Sequence, residues 1–338
     1  MIVFDFNLFS RYRTELMGIG ILGVLIAHTF ELGNIPHMDL LTKFICIIPR
    51  IVFTEGFLFL SGFGLYYSFS KNANIREFYF KRLRRLIIPF VILSSWYYIF
   101  QDFIETYDPI SFILHISSLA FWFDGNYNGM WYVAISIMLY ILFPLIYKAI
   151  LTNRGGKVAL LIILTILLII LIKYFLPTYY SRISIGIDKI PIFILGVYAG
   201  QISFLNKTKE GLILLSVVVS VWILSFEVKN LYQYGVAING MAEKIVYMSI
   251  LCILISQCEN WHLIQWINKC LRWFGKYSLE LYVLHLLLYC FISSNIFGVI
   301  TPLFKVCFMN ICAILLCVPF HQICNVITNL FDIRFIKK

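Results

Sequence analysis

Apolar residues run along this chain in long blocks separated by short polar or basic stretches, with no alternation of period two to suggest strands. Ten blocks predict membrane-crossing helices: residues 14–31, 44–70, 84–104, 130–150, 157–176, 188–204, 209–226, 240–258, 274–294 and 300–325. Each reaches the roughly 17–25 residues that cross about 30 Å of hydrocarbon at 1.5 Å per residue. The fold class this implies is all-α: a polytopic membrane helix bundle of about ten transmembrane helices, forming one domain over residues 1–338. The first twelve residues, MIVFDFNLFSRY, have neither a basic start nor a following cleavage site, so the first span is expected to be retained.

Composition agrees. The chain is 61% hydrophobic and 13% charged, with mean hydropathy +0.88. Soluble domains carry about a quarter charged residues, so a soluble α-protein is excluded. The net charge of +10 gathers at one end of the predicted spans, with Arg11, Arg13, Lys71, Arg76, Lys81, Arg82, Arg84, Arg85, Lys148, Arg154, Lys157, Lys207, Lys209, Lys269, Arg272, Lys276, Arg334, Lys337 and Lys338. The loop 101–129 on the other side carries Asp102, Glu105, Asp108 and Asp124 with no Lys or Arg. An even number of spans and the positive-inside rule predict that both termini are cytoplasmic. The charge thus belongs to topology, to lipid headgroups and to an anion bound on the inner face, and no nucleic-acid partner is expected. The nine cysteines follow no disulfide or metal-ligand spacing, and no Walker loop, dinucleotide fingerprint or internal repeat occurs. No metal and no permanently bound cofactor are expected.

Polar residues inside the spans carry the candidate chemistry, because a charged group at a helix centre costs roughly 2.5–3.5 kcal/mol and so has a partner or a task. Glu55, in FTEGFLFLSGFG, lies about 22 Å above the cytoplasmic boundary and His28 about 21 Å, counted at 1.5 Å per residue. Their equal depth in consecutive spans predicts a carboxylate–imidazole pair, the arrangement of a general base. The plainer alternative leaves His28 at the outer interface and Glu55 in water. Arg13, Met17, Val24 and His28 share one helix face, which places Arg13 below His28 along a cavity wall.

In KRLRRLIIPF, Arg82 and Arg85 share a face, with Lys81 and Arg84 beside them, a cluster suited to phosphate as well as to headgroup anchoring. In FGKYSLELYVLH, Ser278, Tyr282 and His285 form a stripe, with His285 about 14 Å from the cytoplasmic side and level with Ser61. An intramembrane histidine facing a bundle interior marks a functional site, although a structural hydrogen-bonded role fits too. Glu280 points elsewhere on that helix. Trp131 and Tyr132 open a helix at the outer side, where aromatic residues ordinarily form the membrane belt, and they are also candidates for a supporting role in the site. His37, His115, His262 and His321 have no readable partner and are expected at the surface or in packing.

Six segments, in order along nearly the whole chain, resemble the acyltransferase-3 family of integral membrane acyltransferases. They are ELMGIGILGVLIAH, TEGFLFLSGF, FKRLRRLIIP, MWYVAISIMLYILFP, KIPIFILGVYAG and FGKYSLELYVLH. The resemblance implies transfer of an acyl group, typically acetyl from cytoplasmic acetyl-CoA, to a sugar hydroxyl on a cell-surface glycan or its lipid-linked precursor. It implies a bacterial plasma membrane as the setting. It also implies that His28 is the catalytic histidine, that Glu55 stands where the family more often has aspartate, and that Arg82 and Arg85 handle the acyl-CoA. One position departs: the family arginine eleven residues before the histidine is Met17 here, and Arg13, one turn earlier on the same face, is the candidate replacement.

The mechanism expected from this is docking of acyl-CoA phosphates on Arg82 and Arg85, with the thioester arm threading up the bundle. His28, held by Glu55, then deprotonates the acceptor hydroxyl, a task for an imidazole whose ordinary pKa is about 6.5. Arg13, Tyr282 and Ser61 are candidates for stabilising the oxyanion. A ping-pong route with the acyl group resting on His28 is the alternative order of steps. Ten spans with intramembrane Glu and His also describe a proton-coupled transporter or glycan flippase, although no matching broken helices occur in the two halves. A non-catalytic partner in glycan assembly is the third reading.

Overall fold

The computed structural model describes residues 5–33, 42, 45, 47–125, 129–151, 155–229, 233–293 and 301–336. His37, Arg154, Lys337 and Lys338, named above, lie outside the described residues. The first half of the chain forms α1 (Asn7–Arg11), α2 (Arg13–Leu32), α3 (Ile47–Ile51), α4 (Phe53–Lys71), α5 (Ile75–Tyr98), a π-helical turn at Ile99–Glu105, α6 (Pro109–Ile116), α7 (Ala120–Asp124) and α8 (Trp131–Leu151). The second half forms α9 (Gly155–Phe175), α10 (Pro177–Ile187), α11 (Ile190–Phe204), α12 (Thr208–Lys229), α13 (Gln233–Cys258), α14 (His262–Lys276), α15 (Ser278–Ser293) and α16 (Pro302–Ile336).

Among the described residues, nine helical stretches are long and apolar enough to cross a membrane. The tenth expected span, 274–294, corresponds to the shorter apolar stretch Ser278–Cys290. Its start is shifted from 274 to Ser278 because the chain breaks at Tyr277 between α14 and α15, so the residues before it belong to a separate amphipathic helix. The span expected at 84–104 begins earlier, at Ile75, where the Asn74 side chain accepts a hydrogen bond from the Glu77 amide at 3.1 Å.

Helix α9 turns Leu160, Ile163, Leu164, Leu167 and Leu168 outward, and α12 turns out Ile213, Val217, Ile223 and Leu224, as helices facing hydrocarbon do. The centre is held by glycine contacts. Helices α4 and α11 run side by side in parallel: a Cβ on Gly196 would stand 2.1 Å from the Phe59 carbonyl oxygen, and one on Gly200 2.7 Å from that of Phe63. Gly62 answers from the other side, its Cβ position 2.4 Å from the Phe193 carbonyl oxygen. Small residues four apart permit such backbone contact where lipid offers no hydrophobic drive for association. Helix α14 meets α2 in the same way, with Cβ positions on Gly18 and Gly275 falling 2.0 Å from the Leu271 oxygen and 1.9 Å from the Thr14 oxygen. The buried Glu15 carboxylate accepts from Arg272 Nε at 2.7 Å beside this contact.

Candidate active site

A cavity of about 120 Å³ lies between α2, α4, α5, α8 and the α14–α15 corner. The face expected on the first span is there: Arg13, Met17 and Val24 line it in order from α2. Thr54 and Ser61 from α4, Arg82 and Arg85 from α5, and Ser278 and Tyr282 from α15 complete the wall with Tyr132, Ser136 and Tyr140. Those last three stand four residues apart on α8, a spacing that puts them on one face and could have been read from the sequence.

The Arg13, Arg82 and Arg85 guanidinium groups all belong to this cavity, and Arg82 and Arg85 also border an adjoining cavity of about 290 Å³ with Ser68, Asn72 and Lys81. Arg13 Nε donates to the Leu60 carbonyl at 3.0 Å, which spends one of its donors on α4 and leaves the fork. Gly64 makes the room, since a Cβ there would stand 2.6 Å from Arg13 Cζ. The guanidinium thus reaches the cavity that Met17 also lines, consistent in position with a replacement for an arginine at residue 17. Arg84 does not join the group. It lies over the Phe80 ring at 4.6 Å, and its Nη1 donates to the Thr328 carbonyl of α16 at 3.4 Å. On a helix, residues 82 and 85 share a face that residue 84 does not.

At the deep end, Val24 and Tyr282 stand one turn before His28 and His285, and the two imidazoles meet. His28 Nδ1 is 2.8 Å from His285 Nε2, with ring centroids 5.1 Å apart. His285 is fully buried, and its Nδ1 lies 2.9 Å from the Leu281 carbonyl oxygen. A carbonyl only accepts, so His285 carries its proton on Nδ1 and presents a bare Nε2. His28 must then donate through Nδ1, which leaves the lone pair on its Nε2, the form of a general base. The depth count set His285 too shallow because it took Lys276 and Thr14 as level. Gly275 packs between Thr14 and Gly18, which carries α15 inward by up to one turn, about 5 Å.

Glu55 is not the partner of His28. Its carboxylate lies 3.6 Å from Lys189 Nζ and accepts from Thr54 Oγ1 at 3.2 Å. Lys189 also sits 5.0 Å over the Trp131 ring and donates to the Ile185 carbonyl at 2.8 Å. The glutamate is thus retained in the span by a lysine from the start of α11, a partner that no spacing argument singles out. Trp131 and Tyr132 are not belt residues: Trp131 is buried and Tyr132 packs edge-to-face on Tyr282 at 5.4 Å inside the cavity. The Tyr282 hydroxyl donates to the Gly129 carbonyl, so its proton is committed to positioning the start of α8.

Two histidines taken as partnerless pair with carboxylates. His321 Nδ1 is 2.5 Å from Glu280 Oε1, and His115 Nδ1 is 2.8 Å from Asp102 Oδ2. Glu280, expected to point away from His285, does so and meets α16. Neither pair is periodic in sequence. Among the described residues, no group of His, Cys, Asp and Glu could hold a metal ion.

Residues 16–322 match a protein-family model described as an acyltransferase domain. No curated protein and no solved structure matches the chain.

Proposed function

The chain belongs to the acyltransferase-3 family of membrane-bound acyltransferases, and on that premise we propose that it moves acetyl from cytoplasmic acetyl-CoA to a hydroxyl of a cell-surface glycan or its lipid-linked precursor. The membrane is the bacterial plasma membrane, with the Arg82 and Arg85 end and both termini facing the cytoplasm, where the excess of Lys and Arg belongs. The phosphates of acetyl-CoA dock on Arg82 and Arg85 across the two adjoining cavities, and Arg13 supplies a third fork from α2. The thioester arm then runs along Met17 and Val24 toward His28.

His28 Nε2 takes the proton of the acceptor hydroxyl as that oxygen attacks the thioester carbonyl, and the C–S bond breaks to release CoA. His285 holds the His28 ring and its tautomer throughout, so it takes the positioning role first assigned to Glu55. The observation that carries this reading is the chain of hydrogen bonds from the Leu281 carbonyl through His285 to His28. A carbonyl at its far end fixes which nitrogen of His28 is basic.

The test uses purified protein in nanodiscs, radiolabelled acetyl-CoA and a membrane glycan extract. Label passes to the glycan with wild type and not with His28→Ala. Transfer that survives in His28→Ala removes the assignment.

A further inference from the structure

We propose that α14 is a docking surface for acidic phospholipids. Its basic face holds headgroup phosphates of the leaflet on the Arg82–Arg85 side, and its exposed tryptophans enter the acyl boundary. The inference stands apart from the acetyl-CoA reading.

Helix α14 is not among the stretches long and apolar enough to cross a membrane. Both of its ends meet the α1–α2 end of the bundle. Glu259, just before it, accepts from Arg11 Nη2 at 2.5 Å and from the Tyr12 hydroxyl at 3.1 Å. Gly275, near its close, packs between Thr14 and Gly18. Gly275 also lines the cavity that contains Arg82 and Arg85, which sets the helix at that end of the spans. Backbone against backbone at this contact holds α14 as a fixed platform.

At about 100° per residue the helix divides into three arcs. Ile264, Asn268, Leu271 and Gly275 form the inward arc, with Asn268 and Gly275 buried. Gln265, Lys269, Arg272 and Lys276 fall together on a second arc and are all exposed. Trp266 and Leu263 follow on the third, 64% and 65% exposed, and Trp261 stands exposed at the helix start. Large apolar side chains beside a basic stripe characterise a helix at a lipid interface, where one arc enters the acyl boundary and the other meets phosphate. A soluble acidic partner satisfies the cations but leaves Trp266 and Leu263 to water. A lipid leaflet covers both arcs.

The charge is of one sign. HLIQWINKCLRWFGK contains Lys269, Arg272 and Lys276 and no Asp or Glu. Neither Lys269 nor Lys276 has a carboxylate partner among the described residues. Lys276 Nζ lies 5.0 Å over the Tyr277 ring, which leaves its charge in place. Arg272 Nε donates to Glu15 at 2.7 Å, yet its side chain is 57% exposed and has donors to spare. Each basic residue beside an anionic membrane surface is worth about fivefold in binding, so a row of them selects acidic over zwitterionic lipid.

The experiment places the full-length protein in phosphatidylcholine nanodiscs carrying a minor share of brominated phosphatidylglycerol or, in parallel, of brominated phosphatidylcholine. Quenching of tryptophan fluorescence is the readout. Wild type is quenched more strongly by the acidic lipid. A Trp261→Phe, Trp266→Phe double variant loses most of that excess, which locates it on α14. A Lys269→Gln, Lys276→Gln double variant lowers the excess by about fivefold or more, and the same pair changed to Arg keeps it. Acetyl-CoA in solution leaves it unchanged, which separates lipid phosphate from the phosphates of a soluble ligand. Equal quenching by the two lipids in wild type overturns the proposal. So does an excess that survives the Gln or Phe substitutions, or one that acetyl-CoA removes.

Discussion

His28 and His285 come from helices far apart in the chain and share one hydrogen bond of 2.8 Å, with the second nitrogen of His285 held by the Leu281 carbonyl. No carboxylate takes part in these hydrogen bonds. His285 accepts through Nε2 in a fixed direction, so His28 has one tautomer and one ring orientation available.

Replacing His285 by Ala therefore lowers kcat by about 10²–10⁴-fold, the range expected for losing a correctly oriented base. The KM for acetyl-CoA stays within about twofold, because Arg82 and Arg85, proposed to bind its phosphates, are untouched. Glu55→Gln lowers kcat by less than about tenfold, since the carboxylate bonds Lys189 and not His28. Initial rates at saturating acceptor check both variants. Glu55→Gln as damaging as His285→Ala would restore the carboxylate to the catalytic unit.

Arg82→Gln and Arg85→Gln each raise the KM for acetyl-CoA by about 10–100-fold, the equivalent of losing one charged hydrogen bond of about 1.5–3 kcal/mol. Arg84→Gln leaves it within about twofold, because that side chain packs on Phe80. Binding of acetyl-CoA followed by isothermal titration at two ionic strengths reads the difference, and the Arg82 and Arg85 variants lose part of the salt dependence.

Gly64→Ala produces the same loss as Arg13→Ala is expected to, because the added methyl falls 2.6 Å from Arg13 Cζ and drives the guanidinium off its place. Both variants weaken acetyl-CoA binding and leave the melting temperature within a few degrees. A double variant no worse than either single one establishes that the two changes act on one group.

Gly196→Ala is a stability variant. Its methyl meets the Phe59 carbonyl at 2.1 Å, with backbone on both sides and no flexible side chain to yield. Overpacking of this kind costs about 1–3 kcal/mol or more, seen as a lower melting temperature in detergent. Gly156→Ala, with nothing within 4 Å of its Cβ position, is the neutral control.

The transmembrane architecture is readable in the sequence because hydrocarbon demands unbroken apolar blocks, and no packing detail is needed to see them. The cavity wall is also readable where one helix carries it: Arg13, Met17 and Val24 follow from helical spacing alone. Equal depth proved a weaker guide to contact between helices. Glu55 and His28 were counted to nearly the same level, yet depth says nothing about which faces turn toward each other, and Lys189 claimed the glutamate. For His285 the error lay in the reference plane, since Gly275 seats its helix deeper than Lys276 and Thr14 suggest. Asp102 and His115 were opaque for another reason. They join a π-helical turn to a short helix, where no periodic pattern relates one residue to the next.

The parallel α4–α11 pair has a consequence for how the bundle yields. Backbone wedged against backbone at Gly62, Gly196 and Gly200 leaves almost no side-chain slack, so these two helices form the stiff half of the cavity. Compliance falls to α5 and α15, which meet the cavity through long side chains such as Arg82, Leu86 and Tyr282. The stiff half carries Ser61 and the Leu60 carbonyl that tethers Arg13, and the yielding half carries His285, the hydrogen-bond partner of His28. A thioester arm threading the cavity as proposed would push on the side that carries His285, and so couple filling of the channel to the alignment of His28.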